Sequence, residues 1–468
     1  MSLSEPFHFW QLSCEGPCIC FRVEATYIRC TETSATHSER QNMNLKAIPR
    51  SSDELPNELN RRDVLRAGLV AAMVGPSLRL VAAEATEARH EGAVKPFRVA
   101  VPESDIVDLR ERLSHVRWPT AETVGNESQG VPLARMKALA DYWQKQYDWR
   151  RFETQINRLP QYRTTIDGLG IHFIHARSKH PNAAPLLLTH GWPGSVIEFM
   201  KVVGPLTDPT AHGGKAEDAF HVVIPSLPGF GFSDKPTAPG WGMARIAKAW
   251  GVLMARLGYA HWFAQGGDWG AGVTTWMGKL QVEGLAAIHL NLPILFPPPL
   301  EGKPSEEEKR ALGQLVRYRN ELGAYAKLQT TRPQTIGYSL NDSPVGQAAW
   351  IYEKFIEWTD SQGNPESVLS RNLMLDNISL YWFTRTGASS AWLYRESFGK
   401  DFTTQKVDIP VAVSLFPGEW FRPPRQWGER AYSKLFYWNE TSRGGHFAAL
   451  EQPDLFVGEM RKAFGALR

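Results

Sequence analysis

Two hydrophobic periods divide the chain. Between residues 96 and 160 apolar positions recur every three to four residues. Ile106, Leu109 and Leu113 share one helical face, and Met136, Leu139, Ala140, Trp143 and Tyr147 form a stripe on a second helix. That helix is expected to start near Pro132, a favourable first-turn residue. From about residue 163 the period shortens. Thr164–Ile166 and Ile171–His175 flank Asp167-Gly168-Leu169-Gly170, a hairpin signal. Short, almost wholly apolar segments then alternate with helical stretches: Leu186–Thr189, Phe220–Ile224, Trp262–Gln265, Ala286–Leu290 and Val411–Phe416. A late strand-like segment follows at Phe436–Trp438. Strands without a polar face are buried on both sides, so the alternation predicts a mainly parallel α/β sheet. Residues 296–400 break the rhythm. They are Trp- and Tyr-rich, helical in pattern and punctuated by Pro297-Pro298-Pro299, and they read as an inserted lid. No internal repeat is present.

The first 85 residues follow neither period. All four cysteines lie there, at Cys14, Cys18, Cys20 and Cys30, in a spacing that matches no established ligand pattern. Residues 1–60 are read as a poorly structured or mis-started leader, with Met43 an alternative initiator; a metal knuckle on the cysteines is the other reading. Residues 61–85 carry Arg61-Arg62, an apolar run from Ala67 to Gly75 ended by Pro76, and the small residues Ala82-Ala83-Glu84-Ala85. A charged start, a short apolar run and an A-x-A site make an export signal. The paired arginines resemble a twin-arginine signal, with Asn60 where Ser or Thr is common and Val64 where Phe is common. The competing reading is an ordinary basic amphipathic stretch. The run is far shorter than the roughly 20 residues of a membrane-spanning helix. The expectation is a bacterial periplasmic or secreted protein, cleaved after Ala85, or a cytoplasmic one if the signal is not used. Cleavage there would leave a cysteine-free body that needs no oxidative folding.

Composition excludes several classes. Over 468 residues, 52 Lys and Arg against 49 Asp and Glu give a net charge of +3. That is too balanced for a nucleic-acid binder or a polybasic membrane binder. A hydrophobic fraction of 43% supports a full core. Without cysteines after Cys30, the body can hold neither a disulfide scaffold nor a Cys-ligated metal. With no H-E-x-x-H, P-loop or credible G-x-G-x-x-G, no metal, nucleotide or flavin is expected.

The chemistry gathers at strand ends. Gly266-Gly267-Asp268-Trp269-Gly270 follows an apolar strand and opens a helical stretch. It has the form of a nucleophile elbow with Asp in place of Ser. The helix N-terminus is expected to keep Asp268 ionised. His190-Gly191-Trp192-Pro193-Gly194-Ser195 ends the Leu186–Thr189 strand, where such a fold supplies one oxyanion donor. The N–H groups of Trp192 and Trp269 are the expected pair, and His190 is read as a loop brace. Phe416-Pro417-Gly418-Glu419 ends another strand, and Gly444-Gly445-His446-Phe447 follows the last. Glu419 would orient His446. The order 268, 419, 446 is that of nucleophile, acid and histidine in α/β-hydrolases.

Over nearly all of residues 96–468 the sequence resembles the microsomal-type epoxide hydrolases. The resemblance is carried by the 190–195 and 266–270 motifs, Pro228-Gly229-Phe230-Gly231-Phe232-Ser233, Leu340-Asn341-Asp342-Ser343-Pro344-Val345-Gly346 and Arg443-Gly444-Gly445-His446-Phe447-Ala448-Ala449. It implies an α/β-hydrolase fold with a helical N-terminal segment (86–160), a core in two parts (161–295 and 401–468) and a helical lid (296–400). It also implies two lid tyrosines that assist ring opening. The matching positions are Tyr325, before Leu328-Gln329-Thr330-Thr331-Arg332-Pro333, and Tyr394, in Ser389-Ser390-Ala391-Trp392-Leu393-Tyr394-Arg395-Glu396. The expected reaction converts a small apolar epoxide and water to a vicinal diol through an ester on Asp268, hydrolysed by water that His446 and Glu419 activate. Mammalian members carry a membrane anchor, whereas this chain has an export-like leader, so no stable anchor is expected. Two rivals stay open from the residues alone. A haloalkane-type dehalogenase uses the same Asp-ester logic, with Trp269 near the halide. A non-catalytic ligand-binding protein on the same fold is the other.

Overall fold

The computed structural model describes residues 92–299, 302–401 and 406–468. The leader, its cysteines, Met43, the twin-arginine-like segment and the cleavage site lie outside the described residues.

The helical period near the N-terminus forms helices at Glu103–Ser114 and Leu133–Lys145, which bury Ile106, Leu109, Leu113, Met136, Leu139, Ala140 and Trp143. Tyr147 is buried too, but beyond the end of the second helix. A third helix, Trp149–Ile156, follows at once; Asp148 caps it by accepting the Arg150 N–H at 2.9 Å. One strand in this region, β1 (Lys95–Phe97), carries no signal in the sequence, because three residues are too few for alternation to register.

The hairpin is tighter than its sequence suggests. β2 (Gln161–Ile166) and β3 (Leu169–Ala176) are joined by Asp167-Gly168 alone. These two have φ of 50° and 76°, as a two-residue hairpin turn of type I′ requires. Leu169 and Gly170 belong to the strand, where the Gly170 N–H donates to Asp234 Oδ2 at 2.9 Å. The remaining strands are β4 (Ala184–Thr189), β5 (Phe220–Pro225), β6 (Trp262–Gly266), β7 (Leu285–Leu290), β8 (Val407–Leu415) and β9 (Tyr432–Glu440). Nine strands lie in the order β1-β2-β3-β5-β4-β6-β7-β8-β9. The first three pairings are antiparallel and all the others parallel. β9 is much longer than its apolar triplet because an edge strand is half solvated and lacks a continuous apolar run.

The insertion between β7 and β8 is helical, as its pattern predicts. It comprises Glu306–Arg317, a π-turn at Tyr318–Leu322, Ala324–Thr331, Pro333–Asp342, Pro344–Trp358, Arg371–Thr384 and Gly387–Ser397. Helix 371–384 is buried along most of its length. From one direction it receives Trp143 Nε1 on Ser379 Oγ at 2.9 Å and Tyr147 Oη on Asp376 Oδ1 at 2.8 Å. Towards the sheet, Asn377 Nδ2 donates to Pro193 O at 2.7 Å and Tyr381 Oη to Gly194 O at 2.8 Å. The N-terminal helices thus hold the helix that clamps the loop after β4. Among the described residues no helix is long and apolar enough to cross a membrane.

Candidate active site

The loops after β4, β6, β7, β8 and β9 all leave the same edge of the parallel sheet, where open α/β sheets place their ligands. β6 ends at Gly266, and the chain turns through Asp268 into helix Trp269–Lys279. Asp268 has φ 51° and ψ −126°, a backbone state that costs on the order of 1–3 kcal/mol for a residue with a side chain. The turn closes because its flanks are glycines. A Cβ on Gly266 would lie 2.1 Å from Gly270 O, and one on Gly270 would lie 1.9 Å from Thr189 O. The strained turn lifts the Asp268 carboxylate into the site. Oδ1 accepts the Trp192 N–H at 2.8 Å, and the Trp269 N–H also bonds the carboxylate. Both expected oxyanion donors therefore converge on this group. His190 sits behind them: its Nε2 accepts the Leu227 N–H at 3.2 Å, tying two loops together. Burial pushes His190 down to about 4, so it stays neutral, as a brace should.

Glu419 and His446 meet as their order in the sequence suggests. His446 Nδ1 lies 2.9 Å from Glu419 Oε1 and 3.1 Å from Oε2, which fixes the proton on Nδ1 and turns Nε2 toward Asp268. His446 Nε2 is 3.6 Å from Asp268 Oδ2. Trp420 N–H donates to Glu419 Oε1 at 3.0 Å, and His446 N–H to Trp358 O at 2.9 Å. Burial alone would push the His446 imidazolium down. The Glu419 carboxylate outweighs it, with Asp268 and Glu198 adding, and lifts His446 to about 9. For Asp268 the helix N-terminus acts against burial. Burial is the largest influence and raises the carboxyl above its ordinary value, against the His446 charge and the two N–H bonds.

The lid supplies an aromatic wall. Tyr325 stacks on Trp192 with centroids 4.9 Å apart and planes 10° apart. Tyr394 meets the Trp269 ring edge-on at 4.6 Å, and the two tyrosine rings are 5.8 Å apart. Burial holds both phenols well above their ordinary value, so both keep their protons at neutral pH. Tyr394 Oη is buried without a hydrogen bond of good geometry. Tyr325 Oη is 3.3 Å from Tyr318 Oη.

Three contributors escape the sequence reading. Tyr318 opens the π-turn and stacks on Trp420 at 4.2 Å, linking the lid to the acid loop. π-Turns often mark functional sites, but no residue pattern announces one. Lys354 is buried in the lid with its ammonium 4.6 Å from the Tyr325 ring centre, bonded to Glu353 and Glu357. Glu198 is half-buried beside Asp268 and His446; in sequence, Ser195-x-x-Glu198 has the form of a helix cap. Among the described residues no group of three His, Cys, Asp or Glu could hold a metal ion. A cleft of about 790 Å³ lined by Trp118, Val131 and Pro344 includes none of these residues, so chemistry rather than volume locates the site.

A parallel sheet, an Asp-bearing elbow and an acid and histidine on later strand ends define an α/β-hydrolase. Residues 94–199 match the family "Epoxide hydrolase N terminus", and residues 184–348 match "alpha/beta hydrolase fold". A Stigmatella aurantiaca protein, provisionally named an epoxide hydrolase, is 64% identical over 80% of this chain and 86% of its own length. Epoxide hydrolase 1 of Sus scrofa is 34% identical over 84% of this chain and 92% of its own. The crystal structure of juvenile hormone epoxide hydrolase from Bombyx mori aligns with a TM-score of 0.75 at 30% identity, covering 81% of this chain and 96% of that one. The Aspergillus niger epoxide hydrolase aligns with a TM-score of 0.73 at 30% identity, covering 80% and 97%. The chain belongs to the epoxide hydrolase family, and its substrates are an epoxide and water. The dehalogenase and non-catalytic readings are set aside with that assignment.

Proposed function

We propose that the epoxide ring is opened by Asp268 and that the resulting ester is broken by water. The observation that carries this reading is the division of labour on one carboxylate. Oδ1 is held by the Trp192 N–H, while Oδ2 faces His446 Nε2 at 3.6 Å. An ionised carboxylate needs no base to attack a ring carbon, which accounts for Asp rather than Ser at the elbow. Tyr325 and Tyr394 hydrogen-bond the ring oxygen, and one phenol gives it a proton as the C–O bond breaks. Esterification removes the negative charge of Asp268. One of the charges that lifts His446 is then gone, which favours its neutral, basic form. His446, oriented by Glu419, takes a proton from water, and the oxygen attacks Asp268 Cγ. Trp192 N–H and Trp269 N–H hold the oxyanion and His446 protonates the departing diol oxygen; the second proton of the attacking water leaves Asp268 as the carboxylate is regenerated and restores the lid phenol that gave up its own. The aromatic wall supports an apolar epoxide. We further propose export through the twin-arginine-like segment, supported by residues 61–85, and no stable membrane anchor.

Single turnover in heavy-oxygen water tests the pathway. The label should enter Asp268 and not the first diol released; immediate labelling of the diol would mean direct attack by water. N-terminal sequencing of protein recovered from the periplasm should begin just after Ala85, and an intact leader on active exported protein would refute cleavage.

A further inference from the structure

Among the ionisable groups that the pathway above leaves unused, Glu198 stands nearest the reacting pair, beside Asp268 and His446. Glu198 lies on the short 3-10 turn Val196–Phe199, directly after the loop that bears the Trp192 donor. A Cβ on Gly194 would sit 1.5 Å from Glu198 Oε1, so the loop is bare at 194 where this carboxyl fills the space. The backbone N–H groups of Gly191 and Ser195 are directed at the same carboxyl. With Asp268, His446 and Asn291 it lines a cavity of about 10 Å³, walled by Phe199 and Phe456. That is room for about one water molecule, which needs two to four polar partners. Asn291 Oδ1 is engaged by Gln265 Nε2 at 2.7 Å, which leaves the Asn291 Nδ2 protons as donors. Glu198 and His446 supply the remaining partners.

We infer that Glu198 is a positioning residue for the water that breaks the Asp268 ester: its carboxyl, Asn291 and His446 Nε2 together hold that water against Asp268. The assignment rests on the ester pathway proposed above. A capping role alone does not account for the placement. The cap on this turn is already made by Ser195 Oγ, which accepts the Ile197 N–H at 3.2 Å, and a cap need not face the reacting carboxylate. The charge environment agrees with the geometry. Burial, then the Asp268 charge, pushes Glu198 up to about 8 against His446 and the two N–H groups. Esterification removes the Asp268 contribution, so Glu198 becomes a better acceptor when water must be held. The other titratable groups coupled to this cluster include Glu419, Glu451, Tyr381 and, through Asp268, Tyr318, Tyr325 and Tyr394.

Glu198→Gln keeps the side-chain volume and an acceptor oxygen and abolishes the ionisation. In single-turnover measurements on the full chain it should slow ester breakdown roughly 10- to 100-fold and leave ester formation within about twofold. The pH profile of breakdown should lose one of two inflections. Breakdown at the wild-type rate, or slower breakdown with an unchanged profile, would overturn the assignment. Should that variant fail to fold, Asn291→Ala alters the same cavity away from the cap. It too should slow breakdown alone, and an unaltered rate would count against the inference. If the wild-type protein forms no ester on Asp268, the pathway fails rather than the role of Glu198.

Discussion

The two walls of the site are made of opposite materials. The sheet wall carries the carboxyl groups of Asp268, Glu419 and Glu198 around the His446 imidazole. The lid wall carries Tyr325, Tyr394 and Tyr318 packed against Trp192, Trp269 and Trp420, with burial holding the phenols protonated. In the proposed pathway charge moves on the first wall, and an uncharged proton donor waits on the second. In the proposed pathway the lid wall serves the making of the ester and the sheet wall its breaking, so changes on each should slow different steps.

The largest effect belongs to the residue both steps share. Asp268→Ala should reduce turnover to the uncatalysed background, read as diol formation, and substantial remaining activity would remove Asp268 from the pathway. On the sheet wall, His446→Gln should cut steady-state turnover by roughly 10²- to 10⁴-fold while ester still forms, visible as a mass increase equal to the epoxide. On the lid wall, Tyr394→Phe and Tyr325→Phe should each slow ester formation by roughly 10- to 100-fold without slowing breakdown, and the double change should cost far more. A tyrosine variant that accumulates ester would erase the contrast. The pH dependence sharpens it further. Glu419 holds His446 above its ordinary value, so breakdown should fall as pH drops and His446 takes a proton. Glu419→Gln should shift that limb to lower pH and lower its plateau. The smallest effect lies outside both walls. The Arg112–Asp342 pair, 3.2 Å apart, is exposed, so Arg112→Ala should change stability by at most about 1 kcal/mol in a urea melt and leave both steps alone.

The walls also differ in how far their residues reveal them. The sheet wall is legible because a parallel sheet puts its loops at one edge, so chain order alone brings 268, 419 and 446 together. The lid tyrosines are named only through family resemblance, since nothing separates Tyr325 from its neighbours by period or spacing. Tyr318 stayed hidden because a π-turn shifts a side chain without a signature residue. Glu198 was masked by a commoner meaning of Ser-x-x-Glu. Asp268 shows where local reasoning runs out. A helix N-terminus argues for easy ionisation, but the burial that works against it arises only in the folded site. β1 and the full length of β9 went unseen because edge strands need no continuous apolar run.

Helix 371–384 separates what can be redesigned here from what cannot. It is at once the floor on which the N-terminal helices rest and the ceiling over the loop that presents the Trp192 donor. Swapping lid segments to accept new epoxides is therefore best confined to residues 306–342 with Tyr318 and Tyr325 kept, since this stretch shapes the aromatic wall from outside that tie. A graft that replaced 371–384 would change the reaction's electrostatics together with its substrate range.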